Sequence, residues 1–154
     1  MIVADTSPLN YLILIGEIDL LPRLYQLVAI PQAVMNELRH PLAPAAVASF
    51  AENPPTWLET VKIEPVEASL SGTMAHLDMG EIAAISLAAA HPGALLLMDE
   101  TAGRAEAARR GIRSTGTLGI LRDAATSGFV DLRSAFEKLE AASFRMPAGV
   151  TATC

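Results

Sequence analysis

The hydrophobic positions of this chain fall into short unbroken runs that alternate with helical stripes. Ile2-Val3-Ala4 runs into Asp5, the pattern of a buried strand over 2–5. Ser7 followed by Pro8 reads as an N-cap and a first helical residue, and Leu9, Leu12 and Ile13 carry a helical stripe to Gly16. Asp19 caps a second short helix bearing Leu20, Leu21, Leu24 and Tyr25. Leu27 to Ile30 is the second strand, and Pro31 opens a helix through about Arg39. Pro41 and Pro44 break the chain before an alanine-rich helix from 44 to about 52, which Asn53-Pro54-Pro55 stops.

The alternation continues to the end. Leu58, Val61 and Ile63 space an edge strand within 57–66, and 67–77, polar and small, read as a loop. A strongly apolar helix spans Met79 to Ala90 and is ended by His91-Pro92-Gly93. Ala94 to Met98 is the cleanest strand. Thr101 to Arg110 is helical with Gly111 at its C-terminal stop. Ile112-Arg113-Ser114 is a short strand, followed by helices over 118–127 and 131–143 and a loose tail over 145–154. Short buried strands alternating with helices predict an α/β domain whose parallel sheet is covered on both faces. No internal repeat or interdomain linker interrupts the pattern.

Composition agrees. With 154 residues, 51% hydrophobic and 18% charged, the chain can bury a substantial core as one domain, and disorder is excluded. The most apolar stretch, Ile82 to Met98, is broken by Ser86 and His91-Pro92-Gly93 and falls short of the ~18 continuous apolar residues of a membrane span. The first strand leaves no room for a secretory signal. A soluble cytoplasmic protein without membrane contact is expected. The lone cysteine, Cys154, offers neither a disulfide framework nor a thiolate metal site. The net charge of −6, with only two lysines, argues against holding nucleic acid by bulk field. Arg104, Arg109, Arg110, Arg113 and Arg122 nonetheless fall in one short region. Acids gathered around metal ions would also leave a less negative surface than the sum implies.

The acids carry the candidate chemistry. Asp5 ends a strand, at the sheet edge where α/β proteins bind ligands. Asp99 repeats the arrangement: Leu95-Leu96-Leu97-Met98 leads into Asp99-Glu100-Thr101. Helix capping accounts for either one, but two strands ending alike point to a shared site. Glu81 is the only charged residue from Met79 to Ala90, a setting in which carboxylates are seldom left unpaired. Asp78-Met79-Gly80-Glu81 has the spacing of a capping box, which explains Glu81 as well as a functional role does; the two are compatible. Glu37 follows Val34 by three and Ala33 by four, so it shares the face turned to the sheet. A solvated charge paired with a nearby arginine is the other reading of Glu37. Four such acids suit a hard divalent cation, Mg²⁺ or Mn²⁺. His40, His76 and His91 lack ligand spacing, which argues against zinc. A site of this kind can activate water for metal-assisted hydrolysis of a phosphodiester.

Five fragments follow one another in order: Asp5-Thr6-Ser7-Pro8-Leu9; Ile30-Pro31 with Val34 and Glu37-Leu38; Leu77-Asp78 with Gly80-Glu81; Leu97-Met98-Asp99-Glu100 with Gly103-Arg104; and Gly116-Thr117-Leu118-Gly119. From residue 1 to about 145 the set resembles the PIN-domain family, in particular the predicted nucleic-acid-binding branch near the VapC-type toxins. That resemblance implies a three-layer α/β/α domain over 1–145, with a central parallel sheet of four to five strands and a flexible tail at 146–154. It further implies an acidic pocket for Mg²⁺ or Mn²⁺, an RNA substrate, a homodimer and a cognate antitoxin protein.

Carried onto this chain, the resemblance makes Asp5, Glu37, Glu81 and Asp99 the catalytic and metal-binding acids. Asp5 with Glu81 or Asp99 supplies the main ligands, and Glu37 completes the site or polarises the attacking water. Thr6 or Ser7 orients Asp5 or binds metal-bound water. The family's third acid is commonly Asp; Glu81, one methylene longer, leaves direct and water-mediated coordination both open, with Asp78 and Glu100 as substitutes or supporting groups. Arg104 either holds a neighbouring phosphate or pairs with Glu100 or Asp99. Arg109 and Arg110 fit as favourable charge near a helix C-terminus. The apolar helices near 8–25 are either a dimer surface or plain core.

Rivals are set apart by what they require. A non-catalytic binding or regulatory module on the same fold stays open. A phosphoacceptor domain needs a lysine ending a later strand, where this chain has Ser114-Thr115, and Lys138 lies in a late helix. A paired-aspartate phosphohydrolase needs a second Asp two places after Asp5, where Ser7 stands.

Overall fold

Val3 and Ala4 are adjacent on the first strand, point to opposite faces of one sheet, and are both fully buried. A sheet covered on both sides follows. The computed structural model describes residues 1–63 and 76–144. Its strands are β1 (Ile2–Ala4), β2 (Val28–Pro31), β3 (Leu58–Val61), β4 (Leu95–Leu97) and β5 (Arg113–Thr115). Its helices are α1 (Thr6–Leu14), α2 (Leu20–Tyr25), α3 (Gln32–Leu38), α4 (Ala45–Glu52), α5 (Met79–Ala89), α6 (Thr101–Arg109), α7 (Thr117–Thr126) and α8 (Leu132–Ala141).

All strand pairs are parallel, in the order β3-β2-β1-β4-β5. Ala4 and Leu97 face a core built with Leu9 and Leu12 of α1, Leu21 of α2, Leu121 of α7 and Phe136 of α8. Val3 and Leu96 face a second core built with Ala84, Ile85 and Leu87 of α5 and Ala107 of α6. These are the three layers expected. Of the apolar positions of 8–25, Leu9, Leu12, Leu20 and Leu21 are buried in the core, while Leu14 is exposed.

The chain runs outward from β1 to β2 and β3, then crosses back to place β4 on the other side of β1. Connections diverge on either side of that seam, and the crevice beyond the strand ends is the binding place of such sheets. The Asp5 N–H bonds the Leu97 carbonyl across the seam at 2.9 Å.

Most boundaries lie within a residue of those expected, but the first turn of α1 differs. Asp5 occupies the N-cap position and makes no side-chain cap; Ser7 and Pro8 lie inside the helix. Pro8 is tolerated there because the first N–H groups of a helix have no intrahelical partner. Asp19 likewise holds the N-cap position of α2 without a side-chain bond. Gly111 adopts φ 73° just past α6, the left-handed stop that glycine supplies. Residues 64–66 of the predicted edge strand, 67–75 of the predicted loop, and the expected tail at 145–154 with its boundary lie outside the described residues. Among the described residues no helix is long and apolar enough to cross a membrane.

Candidate active site

Asp5 sits at the carboxyl end of β1, only 4% exposed. Its Oδ1 is buried with no hydrogen-bond partner. Burial pushes its pKa up from 3.8 to about 7; the Thr6 N–H bonded to it opposes the shift, and the charges of Asp78, Glu37 and Asp99 add to it.

Glu37 projects from α3, half-buried. The Thr6 hydroxyl donates to its Oε2, and the Gly80 N–H bonds it as well. Burial is the main cause holding its pKa above the usual range, while those two donors pull the other way. A Cβ on Gly80 would stand 2.5 Å from Oε1 and 2.7 Å from Oε2, so only glycine lets the carboxylate rest against the first turn of α5. The arginine partner considered for Glu37 is not what it meets. Thr6 also differs from expectation: its hydroxyl serves Glu37, and only its backbone N–H serves Asp5.

Glu81 is on the first turn of α5. Asp78 caps that helix, accepting from the Glu81 N–H at 2.8 Å, which is one half of the expected box. The Glu81 side chain has an Oε2 that is buried and without a partner. Burial raises its pKa from 4.5 to about 8, followed by the charges of Asp78 and Asp5, a hydrogen bond with the Asp78 side chain, and the charge of Glu100.

Asp99 follows β4 and is clamped by Thr117. Thr117 N–H donates to Oδ1 at 2.6 Å and its hydroxyl to Oδ2 at 2.7 Å. Burial raises the Asp99 pKa, and the two Thr117 bonds and the Arg104 charge oppose it. Gly116 is pressed close: a Cβ there would lie 2.7 Å from Asp99 Oδ1.

The remaining sequence candidates divide. Asp78 joins the group as cap and charge. Glu100, exposed, acts on Glu81 through its field. Ser7 is half-buried one residue inside α1 and is not its N-cap. Arg104 is exposed and makes no ion pair with Glu100 or Asp99 among the described residues; its Nε donates to Ser114 Oγ at 3.4 Å. Arg109 and Arg110 owe their place to Glu106, which each meets at 2.9 Å, more than to the helix end. Sequence reasoning gave no role to Gly80, Ser114, Gly116 or Thr117. A glycine within the first helical turn is a signal that could have found Gly80; the Gly116-Thr117-Leu118-Gly119 fragment marks Thr117 but not its partner Asp99, which lies in a separate segment.

The arrangement is thus a cluster of acids at the β1/β4 seam, in which Asp5, Glu37, Glu81 and Asp99 are all held above their ordinary pKa. Carboxylate oxygen is the right donor for a hard divalent cation, and two buried oxygens here lack a donor. The side-chain chemistry fits such an ion. As the side chains stand, no three acids among the described residues are close enough together to hold one.

Compared with known proteins, residues 1–154 match the family model described as “DUF3368: PIN domain”. No curated protein and no solved structure matches the chain.

Proposed function

The chain belongs to the PIN-domain family, and on that premise we propose that it is a metal-dependent endoribonuclease hydrolysing RNA phosphodiester bonds. A PIN domain is a nuclease fold, and PIN nucleases in general use divalent metals. The observation that carries the reading is the pair of buried, donorless carboxylate oxygens, Asp5 Oδ1 and Glu81 Oε2, at the topological switch point. Burying two like charges so close together is unfavourable unless cations or protons accompany them.

Asp5 and Glu81 would hold the ion, Mg²⁺ or Mn²⁺, with Asp99 fixed beside them by Thr117. When bound, the cation supplies charge neutralisation at the phosphate and acidity for the attacking water. Glu37, kept basic by burial and aimed by Thr6 and Gly80, would orient that water or complete the ligand set. The same reading takes the protein as the toxin of a toxin–antitoxin pair, a cytoplasmic homodimer silenced by a cognate antitoxin protein.

The test is incubation of the purified protein with total RNA and Mn²⁺ or Mg²⁺, beside Asp5→Asn and a chelator control. Cleavage that both abolish supports the proposal, and cleavage indifferent to both refutes the metal site. The second reading is a non-catalytic PIN-fold binding module, to which the lack of a three-acid group among the described residues lends itself. RNA binding with no Asp5-dependent cleavage would select it.

A further inference from the structure

The corner between β5 and α7 does two things to two opposite charges. Thr117 occupies both oxygens of Asp99. Three residues earlier, Ser114 takes the Arg104 Nε. Gly116 lies between them, and a Cβ on it would approach Asp99 Oδ1 to 2.7 Å and the Arg104 guanidinium to 3.5 Å. Carboxylate and guanidinium are therefore neighbours on one wall of the crevice. Ordinarily they would close on each other as a bidentate ion pair. Here no such pair forms: Arg104 is not within 4.0 Å of any carboxylate among the described residues, although its charge still reaches Asp99.

The other arginines of the α6 region contrast with it. Arg109 and Arg110 are each committed to Glu106. Arg104 has five N–H donors, and the bond it makes is a long one to a neutral hydroxyl. It stands exposed one turn into α6, directly after the Asp99–Glu100 end of β4.

We infer that Arg104 is a substrate-binding residue that grips a backbone phosphate of RNA next to the scissile bond, and that Ser114 and Thr117 are positioning residues that keep it from collapsing onto Asp99. The inference rests on the nuclease reading and names how the substrate is held. Arg104 acts on the strand rather than on the reacting atoms. Its contact is the same before and during reaction, so its loss raises KM and leaves kcat close to unchanged.

The experiment measures binding separately from cleavage. In an Asp5→Asn background, a fluorescent single-stranded RNA oligonucleotide is titrated by anisotropy over a range of salt concentrations. Arg104→Gln is expected to weaken binding about tenfold and to lower the slope of log K against log salt by about 0.7, the loss of one phosphate contact on a single strand. Arg104→Lys keeps most of the salt slope, because the point charge remains, while binding weakens by about threefold from the lost fork geometry. Ser114→Ala is expected to lower the slope as well, as Arg104 swings to Asp99, and Ser114→Thr to retain it. With Asp5 intact, Arg104→Gln raises KM about tenfold. Unchanged affinity and slope in Arg104→Gln overturn this inference while Asp5-dependent cleavage still upholds the nuclease. Failure of the Asp5→Asn parent to bind the oligonucleotide also overturns it. Cleavage independent of Asp5 and of metal sinks the nuclease reading instead.

Discussion

Asp5 and Glu106 are equally hidden from solvent, 4% and 2% exposed, and their surroundings are opposite. Glu106, on α6, faces Arg109 and Arg110 at 2.9 Å each, and those bonds hold its pKa below the usual range. Asp5, at the end of β1, has a buried oxygen with no donor, acids for neighbours, and a pKa pushed up to about 7. A covered carboxylate that is fully satisfied holds structure together. One left unsatisfied among its own kind is kept at a cost in stability, and such costs gather at sites of function. Burial alone does not distinguish the two; the partner list does.

The pH dependence of stability breaks the comparison open most widely. A carboxyl whose folded pKa is raised binds its proton more tightly folded than unfolded, so stability falls as pH climbs from 3.8 to about 7 and then levels off. Without metal, Asp5→Asn should therefore be more stable than the wild type at pH 8 by on the order of 2–4 kcal/mol. The gap should close below pH 4. Urea denaturation at both pH values checks this, and a gap equal at the two would show that Asp5 is not strained. Mn²⁺ should raise the wild-type Tm and leave that of Asp5→Asn near its metal-free value.

A smaller effect is expected from Gly80→Ala. The added Cβ collides with the Glu37 carboxylate, which must leave Thr6 and the first turn of α5. Only the far end of the flexible Glu37 side chain has to shift, and Ala favours the helix over Gly, so stability should change by less than about 1 kcal/mol, while cleavage falls roughly 100-fold, the usual cost of misplacing a catalytic group by about an ångström. Retention of full cleavage would mean that the site does not need Glu37 where it stands.

The smallest effect belongs to Glu106→Gln. Its arginine partners are partly open to water, so the loss should be about 1 kcal/mol at pH 7. The sign is the reverse of Asp5: the stabilisation is in place above the ordinary pKa of 4.5 and disappears as pH falls through the lower folded value. Cleavage should be unchanged, and a loss of cleavage would blur the division between the two residues.

The same division sets what could be read from the chain. The strands and helices were legible because apolar runs and helical stripes survive in any tertiary setting, and Asp5 and Asp99 were legible because each ends such a run. The start of α1 differs from expectation, since Ser7-Pro8 carries a strong local signal and Asp5 takes the N-cap position without a side-chain cap. The Glu106 pairs were open to reading from their i,i+3 and i,i+4 spacing, yet the arginines drew attention to the helix end. The Thr6–Glu37 and Thr117–Asp99 bonds join segments far apart in sequence. Only folding brings those partners within reach.

The strand order has a consequence in time. β1 gains its first neighbour, β2, from the residues made soon after it, but its second, β4, comes from the second half of the chain. During synthesis, when the N-terminal part of a chain emerges first, Asp5 and Glu37 are present long before Asp99 and its Thr117 clamp exist. A nascent chain at that stage carries half a crevice and no seam. The site is thus complete only once β5 and the start of α7 have been made, so its assembly reports that the sheet has closed.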